Sequence, residues 1–127
     1  MMTAGFRGKP CLEQIVRCLS AARFTFVNEL ELQDGIQKLL EGEGLSFRRE
    51  ARLSATDRID FLIGETGLEV KTDGSLNDVL RQLHRYAQLD QIQALILVTN
   101  RARHNDMPDT LNHKPLRVIN ISMAGAF

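Results

Sequence analysis

The chain has 127 residues, 43% of them apolar, and its sixteen acidic and sixteen basic side chains cancel to a formal charge of zero. That is enough apolar material for one core without disulfides or a structural metal, so a single domain over residues 1–127 is expected. A neutral balance excludes a polyanion binder that works by bulk charge; any contact with nucleic acid must rest on a local cluster. No apolar run approaches the roughly 20 residues that span a bilayer, and the N-terminus lacks a signal-peptide hydrophobic region. A soluble, cytoplasmic protein without a membrane partner is the expectation.

Residues 1–9 carry two glycines and a lone Phe6 without periodicity, and read as a loose arm. From Pro10, Leu12, Ile15, Leu19 and Ala22 recur at helical spacing, with the proline suited to a first turn. Cys11 and Cys18 lie on this segment about two turns (roughly 10 Å) apart, too far for a disulfide, and read as buried apolar thiols. A second helix starts after Asn28, with Glu31 completing a capping-box pattern and Leu32, Ile36, Leu39 and Leu40 as its apolar stripe. It stops at Gly42 and Gly44.

Three short strands follow, near 46–53, 57–63 and 67–72. Ser75 then caps a third helix with Asp78 at the matching position, burying Leu76, Val79, Leu80, Leu83 and Ala87. Ala94–Thr99 (ALILVT) is a continuous apolar run, as a strand covered on both faces requires. Residues 105–111 suggest a short helical turn, and 116–121 a last strand after Pro115. The expected order is ααβββαβ(α)β: an α/β fold with a mixed sheet of about five strands flanked by helices.

Chemistry concentrates in Asp57-Arg-Ile-Asp-Phe-Leu-Ile-Gly-Glu-Thr-Gly-Leu-Glu-Val-Lys71. In strand alternation Asp60 lies opposite Ile59, Phe61 and Ile63, while Glu69 and Lys71 share one face of the next strand. Gly64-Glu65 fits the Gly-first two-residue loop of a type II′ hairpin, which pairs Ile63 with Thr66 and puts Asp60 opposite Glu69, their Cβ atoms about 5 Å apart. A four-residue loop would instead put Asp60 opposite Lys71. Two carboxylates so close repel unless a cation lies between them, and Mg²⁺ takes a few carboxylate oxygens while keeping waters and phosphate oxygens. A lysine on the same side can orient or deprotonate a water or neutralise developing phosphate charge.

Asp60, eight intervening residues and Glu69-Val70-Lys71 together resemble the motif of the PD-(D/E)XK nuclease superfamily, with Ile59 where the motif's name has proline. Gln82-Leu-His-Arg-Tyr86, on the following helix, resembles the Q-x-x-x-Y motif of its RecB-like branch. The resemblance covers roughly residues 28–121 and implies a restriction-endonuclease-like core, with the first helix an addition outside it. It implies that Asp60 and Glu69 bind Mg²⁺ or Mn²⁺, that Lys71 serves the nucleophilic water, and that Gln82 and Tyr86 position substrate or lysine. The superfamily often adds a glutamate from its first core helix. Glu29 is assigned that metal-site role because Glu31 has the cap, with Glu50 a further candidate.

Arg52, Arg58, Arg81 and Arg85 lie on the elements around this centre and are the expected nucleic-acid contacts, Arg58 being nearest; Arg48, Arg49, Arg101 and Arg103 extend the rim. His84, His104 and His113 show no ligand spacing and read as surface or DNA-proximal residues. The resulting expectation is a metal-dependent DNA endonuclease. By resemblance it is similar to small stand-alone phage or mobile-element enzymes, some of them homodimeric and acting on branched or recombination-intermediate DNA. The alternative is a non-catalytic nucleic-acid-binding or partner-binding domain on the same fold.

Overall fold

The computed structural model describes residues 10–124, so the arm expected at 1–9 lies outside the described residues. Helix α1 spans Leu12–Ala21 and α2 spans Glu29–Gly42. Strands β1 (Arg48–Arg52), β2 (Arg58–Ile63) and β3 (Thr66–Lys71) precede helix α3 (Leu76–Ala87). Strand β4 (Ala94–Thr99), a single 3₁₀ turn (Ala102–His104), β5 (Thr110–Leu111), β6 (Lys114–Asn120) and a last helical turn, α4 (Ile121–Ala124), complete the order.

The caps form where the side chains predict them. Asn28 Oδ1 accepts the Glu31 N–H at 2.8 Å, and Ser75 Oγ accepts the Asp78 N–H at 3.1 Å. The Glu31 carboxylate reaches the Val27 N–H at 2.9 Å, one residue beyond the usual box partner, and still satisfies a backbone donor at the helix start.

Six strands make one mixed sheet in the order β1-β2-β3-β4-β6-β5. The first three are antiparallel, while β3, β4 and β6 run parallel, so α3 serves as the crossover between β3 and β4. Strand β4 is covered on both sides, as its unbroken apolar run requires. Ile96 and Val98 meet Leu32, Ile36 and Leu40 of α2, whereas Leu95 and Leu97 meet Val79, Leu83 and Ala87 of α3.

Two expectations are corrected. The sheet has six strands instead of about five: residues 105–111 hold no helical turn, the 3₁₀ turn comes earlier, and Thr110–Leu111 form an edge strand on β6. The connecting Asn112-His113 pair takes φ of +51° and +65°, the backbone of a type I′ turn without its usual glycine. Helix α1 packs into the apolar core on the α2 face of the sheet. Ile15 and Leu19 are fully buried in the cluster that also holds Ile119 and Ile121, because α2 alone does not cover the β6 side of that face. With those two residues facing inward, Cys11 is left exposed and Cys18 half-buried, both free thiols and not core residues.

Because α1 shares the main core, Leu19→Ala is expected to cost about 2–5 kcal/mol of unfolding free energy, the range for a large buried side chain. Urea denaturation measures this, and a loss below about 0.5 kcal/mol would show that α1 contributes little to the core.

Candidate active site

The hairpin loop has two residues. Gly64 takes φ of +63°, and the register runs Ile63 to Thr66, Leu62 to Gly67 and Phe61 to Leu68. Beyond Leu68 the two strands part: β3 continues along β4 as far as Lys71 opposite Thr99, but β2 no longer pairs with it. Carboxylates take up backbone donors at this fork. Val70 N–H donates to Asp60 Oδ2 at 2.7 Å, and Asp60 N–H donates to Glu69 Oε1 at 3.3 Å.

Simple alternation fails at the same point. Phe61 and Ile63 pack under α2, yet Ile59 packs with Leu62 under α3, so β2 twists over between Ile59 and Phe61. Its neighbour β1 does likewise. Arg49 stacks 5.7 Å from the Phe61 ring on one side, Ala51 is buried on the other, and Glu50 between them takes φ of +54°. Gly67 is the residue that admits Ile59 to this face, since a Cβ there would lie 2.5 Å from Ile59 Cδ1. Asp60 and Glu69 therefore do meet, but at a split in the sheet and not across a regular ladder.

Glu69 is only 4% exposed. Its Oε2 lies 3.4 Å from Lys71 Nζ, and its Oε1 is 3.4 Å from the hydroxyl of Tyr86. Tyr86, also buried, donates to the Arg58 carbonyl at 3.0 Å and accepts from Gln82 Nε2 at 2.8 Å. It thus holds the end of β2 that has left β3. Burial, and secondarily the Asp60 charge, pushes Glu69 up to about 8. Burial likewise raises Asp60 to about 6, against the opposing Val70 hydrogen bond. Burial and then the nearby carboxylates push the Tyr86 phenol well above its ordinary range, so it stays a protonated donor. All five residues expected at the catalytic centre, Asp60, Glu69, Lys71, Gln82 and Tyr86, are linked by contacts at the fork.

The outer residues are placed differently. Glu29 reaches the site's edge, where one oxygen, Oε1, accepts both the Thr72 N–H (3.2 Å) and hydroxyl (3.3 Å). Its charge is felt at Asp60. Glu50 pairs with Arg58 at 3.4 Å, on the exposed surface. Arg85 pairs with Asp57 at 3.2 Å, Arg81 with Asp78 at 3.3 Å, and Arg52 bonds the Ala55 carbonyl at 3.3 Å. His104 departs most from expectation. It is fully buried, with Nδ1 2.6 Å from the Thr99 hydroxyl and Nε2 2.8 Å from the Gly74 carbonyl. Arg101 Nε reaches the Thr72 carbonyl at 2.6 Å, and Arg103 bonds both Gly74 and Asp73. The stretch after β4 thus clamps the turn after Lys71, a pairing of segments about thirty residues apart that no local pattern announces.

Among the described residues no three His, Cys, Asp or Glu side chains gather closely enough to hold a metal ion by themselves. The donor set still fits a hard cation that keeps several waters: two desolvated carboxylates adjoin, and Asp60 Oδ1 and Glu29 Oε2 accept no hydrogen bond among the described residues. Comparison with family models, curated proteins and solved structures finds no match.

Raised acids bind their protons more tightly folded than unfolded, so their contribution favours folding at low pH and is lost as pH rises through the folded values. Without divalent metal, the melting temperature is expected to fall between about pH 5 and pH 8.5. Asp60→Asn, which keeps an acceptor for the Val70 N–H and removes the repulsion, should flatten this slope and gain roughly 1–2 kcal/mol near pH 8. Calorimetry across the range checks both.

Proposed function

We propose that the fork is the active site of a small metal-dependent nuclease that hydrolyses phosphodiester bonds in DNA. The observation that carries this reading is the burial of two mutually repelling carboxylates beside one lysine. Desolvating a like-charged pair opposes folding, and perturbed acids in such a setting are a mark of function. The resemblance of Asp60, Glu69 and Lys71 to the PD-(D/E)XK motif, and of Gln82 and Tyr86 to the RecB-like branch, supports the same conclusion. So does the mixed α/β sheet, which suits a restriction-endonuclease-like core.

Asp60 and Glu69 would hold Mg²⁺ or Mn²⁺, with Glu29 Oε2 as an outer partner through water. Bound there, the ion supplies charge neutralisation for the scissile phosphate and lowers the pKa of a water. Lys71, whose Nζ lies 3.4 Å from Glu69, would orient that water or stabilise charge developing on phosphate oxygens. Tyr86, held by Gln82, fixes the Glu69 carboxylate and the end of β2, so the acids need no rearrangement as charge develops. Arg58 forms an exposed pair with Glu50, whereas Arg85 pairs with the largely buried carboxylate of Asp57. An exposed pair such as Arg58 with Glu50 contributes little and exchanges readily for phosphate oxygens.

Supercoiled plasmid is expected to be nicked with Mg²⁺ or Mn²⁺ and left intact with EDTA, and Lys71→Ala and Asp60→Ala should each lower the rate by about 100-fold or more. Mn²⁺ should also raise the melting temperature of the wild type but not of an Asp60→Asn, Glu69→Gln double variant. Metal-independent or absent cleavage across plasmid, linear, single-stranded and branched DNA would overturn the reading, and binding without cleavage would favour a non-catalytic nucleic-acid-binding domain.

A further inference from the structure

His104, the last residue of the 3₁₀ turn, and Thr99, the last of β4, are both fully buried. Neither takes part in the chemistry proposed above. An imidazole sealed from water opposes folding unless both of its nitrogens are bonded, and an apolar side chain would fill the same space without that cost. What the imidazole adds is a link between two chain segments. Its Nδ1 lies 2.6 Å from the Thr99 hydroxyl, and its Nε2 lies 2.8 Å from the Gly74 carbonyl.

The partners assign the proton. A carbonyl only accepts, so Nε2 carries the hydrogen and Nδ1 keeps its lone pair. The Thr99 oxygen already accepts the Arg101 N–H at 3.1 Å, which leaves its own hydrogen to point at Nδ1. Every polar atom of the pair is then used in one arrangement, the neutral Nε2–H tautomer. The other tautomer would set two acceptors against each other at Gly74. Either that tautomer or an imidazolium would leave the Thr99 hydroxyl proton without its acceptor.

Both ends of this link adjoin Lys71. Thr99 is the β4 residue paired with Lys71, at the last rung of the β3–β4 ladder. Gly74 ends the turn that leads from Lys71 to the Ser75 cap of α3, and its φ of +97° suits glycine only. One rigid ring therefore ties the strand that flanks Lys71 to the turn that follows it. Lys71 Nζ lies 3.4 Å from Glu69 Oε2, so a shift of that turn would move the ammonium relative to the carboxylate.

We propose that His104, as the neutral Nε2–H tautomer, is a positioning residue for Lys71, acting through Thr99 on one side and Gly74 on the other. Its nitrogens are spent on protein partners, so it acts on rate through Lys71 and not by binding substrate or metal. The effect on cleavage rests on the nuclease reading, but the position of Lys71 is measurable without it.

The test compares Thr99→Val, which removes the hydroxyl, His104→Gln, which removes the acceptor at Nδ1, and Thr99→Ser, which restores the hydroxyl, all in the full chain. With Mg²⁺, Thr99→Val and His104→Gln are expected to lower the single-turnover nicking rate about 10- to 100-fold, the scale of a misplaced reacting group. Mn²⁺ affinity, and DNA affinity in Ca²⁺, should stay within about two-fold, and Thr99→Ser should stay near wild type. With isotope-labelled histidine and lysine, nuclear magnetic resonance should show the Nε2–H tautomer at His104 of the wild type. The Lys71 signal, one of four lysines, should move in Thr99→Val and His104→Gln but not in Thr99→Ser. An Nδ1–H tautomer, an unmoved Lys71 signal in either folded variant, or equal losses of rate and metal affinity would overturn the proposal even if the wild type cleaves. If Thr99→Val does not fold, His104→Gln and the wild-type tautomer decide the matter on the same terms. A Lys71 signal that moves as expected in a protein whose wild type never cleaves DNA would keep the positioning role and reject the nuclease reading.

Discussion

The structure turns on the point where β2 leaves β3. An antiparallel pair that stops mid-strand exposes backbone groups that must find partners, and here the partners are carboxylates: Asp60 takes the Val70 N–H, and Glu69 takes that of Asp60. The fork and the acids require each other. Without the split Asp60 could not reach the backbone of β3, and without the acids the freed amides would be left unpaired. Tyr86 secures the far side by bonding the Arg58 carbonyl, so α3 holds the fork open from one face of the sheet.

That arrangement opposes stability locally and is supported by the packing around it. Glu69 is sealed from solvent beside a second acid, which raises both groups toward neutrality. The apolar clusters on the two faces, with α1 contributing to one of them, provide the rigidity that keeps the acids from swinging out. The turn from Thr72 to Gly74 is fixed in the same way, by Glu29 from α2 and by Arg101, Arg103 and His104 from the segment after β4. Lys71 is thereby placed by two segments remote in sequence.

The helices, the central strand and the hairpin loop were legible in the sequence because each rests on a local rule. Asn28 and Ser75 cap, apolar residues repeat at helical spacing, ALILVT reads as doubly covered, and Gly64-Glu65 allows one two-residue turn. The two-residue loop also brings Asp60 to Glu69, and the spacing of Gln82 and Tyr86 puts them one turn apart on α3. The 3₁₀ turn and edge strand near β5 were not legible, since a two-residue strand has no period and Asn112-His113 lacks the glycine that marks its turn type.

Sequence by itself thus determined which residues could form the site and that the hairpin would gather the acids, because turn length and residue type act over a few neighbours. Only the tertiary structure decided how they meet. Strict alternation would have set Asp60 and Glu69 side by side on an intact ladder, but a left-handed Glu50, the space left by Gly67 and the pull of Tyr86 twist β2 away at that position. The same holds for His104, read as a surface or DNA-proximal residue, and for the packing of α1 on the sheet. Both follow from contacts made across the whole chain, which a local pattern does not contain.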